Sequence, residues 1–131
     1  MIKFFQHKYQ SNIYIFNYIQ DLDIQTALKV VSFTDLHFAK GSIKLISIVN
    51  ENAHLTDFGA LLTLAKSTKT HENNVLSVDT FGLKGIQNTL YKLFIKTSKS
   101  SVVQRVSQTI IELEELHSIK IFDDFNEVML D

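Results

Sequence analysis

Apolar positions early in the chain fall in short β-rich runs, shift to helical spacing after Asp23, and from there alternate between the two patterns. Met1 to Tyr18 reads as two strands around a turn at Gln10-Ser11-Asn12. Phe4, Phe5 and Tyr9 precede that turn, and Ile13, Tyr14, Ile15, Phe16 and Tyr18 follow it, which is most simply a hairpin. Ile24, Ala27, Leu28, Val31 and Phe38 then recur on one helical face, with Asp23 as N-cap and Gly41 as the stop. This predicts a first helix from Ile24 to Lys40, with Phe33 and Leu36 off its face. Ile43 to Val49 is apolar on both faces, the pattern of a central strand covered from both sides.

A second helix follows, with Thr56 as N-cap and Phe58, Leu61, Leu62 and Ala65 as its stripe, before the polar exit Ser67 to Asn74. Val75-Leu-Ser-Val78 repeats the buried-strand pattern. Leu83, Ile86, Leu90, Leu93 and Phe94 form the inner face of a third helix. Beyond Ser98-Lys-Ser-Ser101, the residues Val103, Val106, Ile110, Leu113 and His117 continue at helical spacing, and Ser101 with Gln104 stands in capping-box register, so a fourth helix is expected. Ile119 to Phe122 reads as a last strand, and Asp124 with Glu127 as the capping box of a terminal helix reaching Leu130. The expected core is Ile15, Leu28, Val31, Leu45, Ile48, Leu61, Leu62, Leu76, Val78, Ile86, Leu90, Phe94 and Ile121.

This order predicts an α/β fold with a mostly parallel central sheet, an N-terminal antiparallel hairpin and packed helices. No linker, repeat or low-complexity tract divides the chain, so one domain is expected over residues 1–131. At 45% hydrophobic and 21% charged, 131 residues suffice for a core without a covalent staple. The absence of cysteine excludes disulfides, thiolate zinc sites and thiol catalysis, and suits the cytoplasm. Thirteen basic and 14 acidic residues are mixed along the chain for a net charge of −1, which leaves no electrostatic footprint for a nucleic-acid backbone. No apolar stretch approaches the roughly 18 residues of a membrane span, and the N-terminus lacks a secretory leader pattern, so neither insertion nor secretion is expected.

The succession of hairpin, alternating helices and strands, Val75-Leu-Ser-Val-Asp-Thr-Phe-Gly-Leu-Lys-Gly-Ile-Gln87 and the closing Ile119-Lys-Ile-Phe-Asp-Asp-Phe-Asn-Glu-Val128 resembles the SpoIIAA-like, STAS-type domains. That resemblance covers most of the chain on loose motifs. It implies a central sheet with helices packed around it, serving as a partner-binding or regulatory module rather than an enzyme. Anti-sigma-factor antagonists of this type carry Asp-Ser-Ser-Gly at the start of the second helix, where a serine is phosphorylated. Here the stretch is Thr56-Asp57-Phe58-Gly59, so Phe58 replaces that serine and Thr56 is the nearest hydroxyl. The stretch from Ser100 to His117 is an addition to the simpler members that could pack beside the sheet or mediate dimerisation. A related group resembles lipid-exchange CRAL-TRIO domains, which brings a small apolar ligand into view.

Three of the four glycines, Gly59, Gly82 and Gly85, lie where a predicted strand runs into a predicted helix. Ends of parallel strands lie together, so Leu55 to Gly59 and Thr80 to Gly85 should be neighbours on one rim. Thr56, Asp57, Gly59, Thr80, Gly82, Lys84 and Gly85 are therefore the candidate residues for binding a regulatory partner, a second copy of the chain, or a small apolar or anionic ligand. Thr56 fits an N-cap and is also the candidate phosphosite, because a phosphate there would meet free backbone N–H groups. The glycines serve either tight turning or close ligand approach, but their spacing matches neither phosphate-binding loop. Lys84 is a solvated side chain or an anion contact. Asp79, Asp123 and Asp124 invite a paired-carboxylate or magnesium reading, against which Asp124 already has a cap to serve. The five histidines include no i, i+4 pair and no serine lies in a Gly-x-Ser-x-Gly elbow, so no catalytic constellation, resident metal or cofactor is expected.

Overall fold

In the computed structural model, which describes residues 1–54, 56–84, 88, 91–92 and 101–129, all six strands join one sheet in the order β5-β4-β3-β2-β1-β6. These are β1 (Ile2–His7), β2 (Ile13–Tyr18), β3 (Ile43–Val49), β4 (Val75–Phe81), β5 (Val103–Ser107) and β6 (Phe125–Val128). The helices of the described residues are α1 (Ile24–His37), α2 (Phe58–Thr70) and α3 (Ile110–His117). The α/β class stands, but the sheet is mixed rather than mostly parallel. β2, β3, β4 and β5 pair in parallel, whereas β1 is antiparallel to both β2 and β6.

The hairpin, β3, β4 and the start of α1 form where the sequence pattern places them. Asp23 caps α1 by accepting from the Thr26 N–H at 2.8 Å. Gly41 takes a positive φ of 78° after a short 3₁₀ turn at Phe38–Lys40, which ends the helix. The buried face of α1 is rotated from the predicted one: Ala27, Val30, Phe33 and Thr34 face inward, while Leu28 is half exposed. Aromatic contacts set that rotation, because Phe33 stacks on Phe4 with ring centroids 4.1 Å apart and meets Phe16 edge-on at 5.4 Å. Leu62 and Leu76, also expected inside, lie about half exposed, and Val31 is only partly buried. Ile15, Leu45, Ile48, Leu61, Val78 and Ile121 are buried as expected, whereas Ile86, Leu90 and Phe94 lie outside the described residues.

The carboxy-terminal third departs furthest from expectation. Val103 to His117 is not one helix. Val103–Ser107 pairs with β4 from Ser77 to Phe81, and only Ile110–His117 is helical. Pairing satisfies the open edge of β4, and the alternation of Val102, Gln104 and Val106 suits a sheet as well as a helix over so short a window. The working helix start is Thr109, whose hydroxyl accepts from the Glu112 N–H at 3.1 Å while the Glu112 carboxylate accepts from Gln108 N–H at 2.9 Å. Ser101 and Gln104 cap nothing of the kind. Ile119 to Phe122 is coil and turn rather than a strand, and the expected terminal helix is β6, which covers the outer edge of β1. Asp124 instead accepts from the Lys120 N–H at 3.0 Å.

The core lies on both faces. Beneath α1 and α2 are Phe4, Tyr14, Phe16, Tyr18, Leu45 and Val78. On the opposite face Ile13, Ile15, Ile46 and Ile48 pack against Leu113, Ile119, Ile121 and Phe125. Among the described residues, no helix is long and apolar enough to cross a membrane.

Candidate functional site

The register of the parallel strands aligns side chains in rows across the sheet. On the face toward α1 and α2 one row runs Phe4, Phe16, Ser47, Thr80 and Val106. The row beyond it, toward the strand ends, begins with Tyr18 and Val49. Ser47 and Thr80 are thus the polar residues of an otherwise apolar row, and both are buried. Over this floor α1 and α2 leave a cavity of about 90 Å³ with predominantly apolar walls, which opens to solvent. Leu45, Val78, Leu61, Leu64 and Ala65 supply much of the apolar wall, and Leu83 with Tyr91 adds to it from beyond β4.

Hydroxyl groups line it in two places. Near the middle of the floor, Thr80 Oγ1 donates to Tyr91 Oη at 3.2 Å, and Ser47 neighbours the Tyr18 phenol. Burial pushes the Tyr18 phenol far above its ordinary range; the nearby Tyr91 adds to that rise, and Ser47 only partly opposes it. Burial likewise raises Tyr91. Both phenols are therefore neutral donors at physiological pH. Under the helices, the Thr34 and Ser67 hydroxyls lie 3.1 Å apart, and His71 Nε2 is 2.8 Å from Asp35 Oδ1. Ser67, His71 and Asp35 have the residue types of a hydrolase triad. Yet the Ser67 hydroxyl is bonded to Thr34, and among the described residues no side-chain hydrogen bond joins it to the His71 ring.

Of the described rim residues singled out by the sequence, Thr80 alone is in the lining of this cavity. Parallel pairing of β3 with β4 brings their carboxy-terminal ends side by side. Gly82 takes a φ of 103°, and a Cβ there would overlap the Val49 carbonyl oxygen, so the turn leaving β4 lies directly against the end of β3. Thr80 lines the cavity. Thr56, exposed, is tied to the loop after β2 through Leu22 O at 3.3 Å, and the N-cap of α2 is Asp57 rather than Thr56. Asp57 accepts from the Gly59 N–H at 2.7 Å, so a phosphate on Thr56 would have that carboxylate as its neighbour. A Cβ at Gly59 would stand 3.0 Å from Asp57 Oδ1 and 3.4 Å from Ile24 Cδ1, and that close packing accounts for the glycine. Lys84 is exposed, and Gly85 lies outside the described residues.

Asp79 does not join Asp123 and Asp124. It is fully buried on the opposite face, where it accepts from Arg105 Nε at 2.7 Å and Nη2 at 3.0 Å, with His117 Nε2 at 2.8 Å. Tyr18, Ser47, Tyr91, Thr34 and Ser67 escape sequence reasoning. The one available signal was a polar residue at the centre of each buried strand, Ser47 in β3 and Thr80 in β4. Comparison with family models, curated proteins and solved structures finds no match.

Proposed function

We propose that the chain is a cytoplasmic, non-enzymatic binding module resembling STAS/SpoIIAA-like domains, and that its occupant is a small, neutral, largely apolar molecule held between the helices and the sheet. The observation carrying this reading is the apolar cavity over Ser47 and Thr80. An engineered cavity of about 150 Å³ holds benzene, so by proportion this one encloses a body of about three or four non-hydrogen atoms, with anything longer reaching out through the mouth. Among the described residues no lysine or arginine lines it, and an unpaired buried carboxylate would be costly, which favours the apolar over the anionic ligand. The test is a methyl NMR titration with 2-methyl-1-butene. Saturable shifts are expected at Leu61, Leu64 and Val78, and Ala65→Leu, which fills the space, should remove them. Shifts that stay linear and spread over the surface would end this reading.

The second reading is a docking rim for a regulatory protein or a second copy of the chain. It is favoured by the exposure of Thr56, Asp57 and Lys84 in the segments that follow β3 and β4. The Thr56→Ala/Lys84→Ala double variant should lose at least about tenfold in affinity for a captured partner with its unfolding temperature unchanged, because such rim residues carry no core packing. Undiminished capture would remove the rim from consideration.

A further inference from the structure

His7 ends β1 on the face of the sheet opposite the cavity, where its ring meets Phe125 edge-on at 5.0 Å. It is 6% exposed. Its Nδ1 accepts from the Gln10 N–H at 2.9 Å and from the Tyr9 N–H at 3.1 Å, so the turn between β1 and β2 is folded back onto one nitrogen. A backbone N–H can only donate. Nδ1 therefore carries no proton in this arrangement, and the neutral ring keeps its proton on Nε2. The charged side chains around the ring come from the turn, from the segment before β6 and from α3. Lys8 donates through Nζ to Asp123 O at 3.2 Å, and Asp124 places Oδ2 3.9 Å from His7 Nε2 while accepting from the Lys120 N–H at 3.0 Å. Glu114 of α3 accepts from the Ile121 N–H at 2.9 Å. On this face β2 contributes Ile13 and Ile15, which bring no charge.

We propose that His7 is an acid-operated latch on the β1–β2 turn. A proton taken from solvent by Nδ1 occupies the lone pair that both N–H groups share, which sets three N–H donors against one another. The turn then lets go. The new imidazolium charge is answered by Asp124, already beside Nε2, so the ring stays against Phe125 while Tyr9 and Gln10 turn to solvent. Release leaves their N–H groups to water rather than stranded inside, since the Tyr9 side of the turn is open: Tyr9 is 81% exposed. The freed limb is the one next to the last β1–β6 bond, from the Lys8 N–H to Asp124 O at 2.8 Å, so the latch also governs how firmly the edge strand is seated at that end.

The test is made by NMR on the wild-type chain between about pH 8 and 5, the span in which histidine titrates. At the upper end the long-range ¹H–¹⁵N spectrum of the His7 ring should show a bare Nδ1 and a protonated Nε2, and the opposite tautomer overturns the latch. As the ring takes up its second proton, the protection of the Tyr9 and Gln10 amides against solvent exchange should fall roughly three- to tenfold, the loss of one hydrogen bond each. That fall should share its midpoint with the ring, while the amides of β3 keep their protection. A ring that titrates with both amides unchanged, or one that takes up no second proton across this span, overturns the proposal. His7→Asn puts a non-titrating oxygen near the place of Nδ1 and should abolish the step. A step that survives in that variant belongs to another group, and the latch falls; the wild-type readings decide the matter if the variant does not fold.

Discussion

Asp79→Ala should lower the unfolding free energy by about 3–5 kcal/mol, measured by urea denaturation at neutral pH, because it leaves the Arg105 and His117 groups facing a site built for their carboxylate. Asp79 is fully buried in β4, the His117 side chain is 3% exposed in α3, and Arg105 reaches across from β5. One carboxylate therefore ties the edge strand and the third helix to the central sheet. The bidentate geometry, 2.7 and 3.0 Å to the guanidinium, makes this a strong charge-assisted pair. A loss below about 1 kcal/mol would mean that water or a rearranged side chain substitutes for Asp79. Replacing all three residues together with apolar ones of similar volume should recover much of the loss, since the penalty lies in the stranded partners rather than in the pair itself.

The same group sets an acid limit. Burial by itself would push the Asp79 carboxyl up, but the hydrogen bonds from His117 and Arg105, followed by the Arg105 charge, outweigh it and hold the group below the usual carboxylate range. Its folded value therefore lies below the unfolded one near 3.9. The stabilisation is complete above about pH 4 and is lost as pH falls further, through the folded value, because the unfolded chain takes up the proton first. The stability gap between wild type and Asp79→Asn should accordingly be constant from pH 7 to about 5 and narrow below about pH 4.

How far the chain discloses its own structure depends on where pairing partners lie. The first 81 residues carry period-2 and period-3.6 patterns long enough to place the elements, and Asp23 and Gly41 bound the first helix as their chemistry dictates, but the inward face of α1 and the cap of α2, which is Asp57 rather than Thr56, were misassigned. In the last third the windows are short. Val103, Val106, Ile110, Leu113 and His117 fit a helix by spacing, but the open edge of β4 can be satisfied only by a strand, and that demand comes from residues more than 20 positions away. Phe125–Val128 is decided in the same manner by the outer edge of β1. Of the cavity lining, Thr80 could be singled out because an expected strand-to-helix junction marks it locally. Tyr18, Ser47 and Tyr91 could not, because they meet Thr80 only through the register of three parallel strands and a segment beyond them. His117 looked like one more position on an apolar stripe, and only the pairing of β5 with β4 reveals the charge it faces.

Phe33→Ala should cost about 3–5 kcal/mol by the same denaturation measurement, the range for deleting a fully enclosed aromatic ring. Phe33 is 0% exposed, stacks on Phe4, and meets Phe16 and Tyr14 edge-on at 5.4 and 5.8 Å, so one ring joins α1 to both strands of the N-terminal hairpin. Removing it takes away those contacts and leaves a void that close-packed neighbours fill only partly. Phe33→Leu, which retains much of the volume, should cost less, on the order of 1–2 kcal/mol. Phe33 does not line the cavity, whereas its neighbours Phe16, Val30 and Phe38 do. That separation gives the prediction a second part. Phe33→Leu should leave the affinity for 2-methyl-1-butene within about twofold if α1 keeps its position, since an independent site contributes additively. A larger loss would show that the aromatic cluster and the cavity respond as one unit, with the hairpin stack setting the distance between α1 and the sheet.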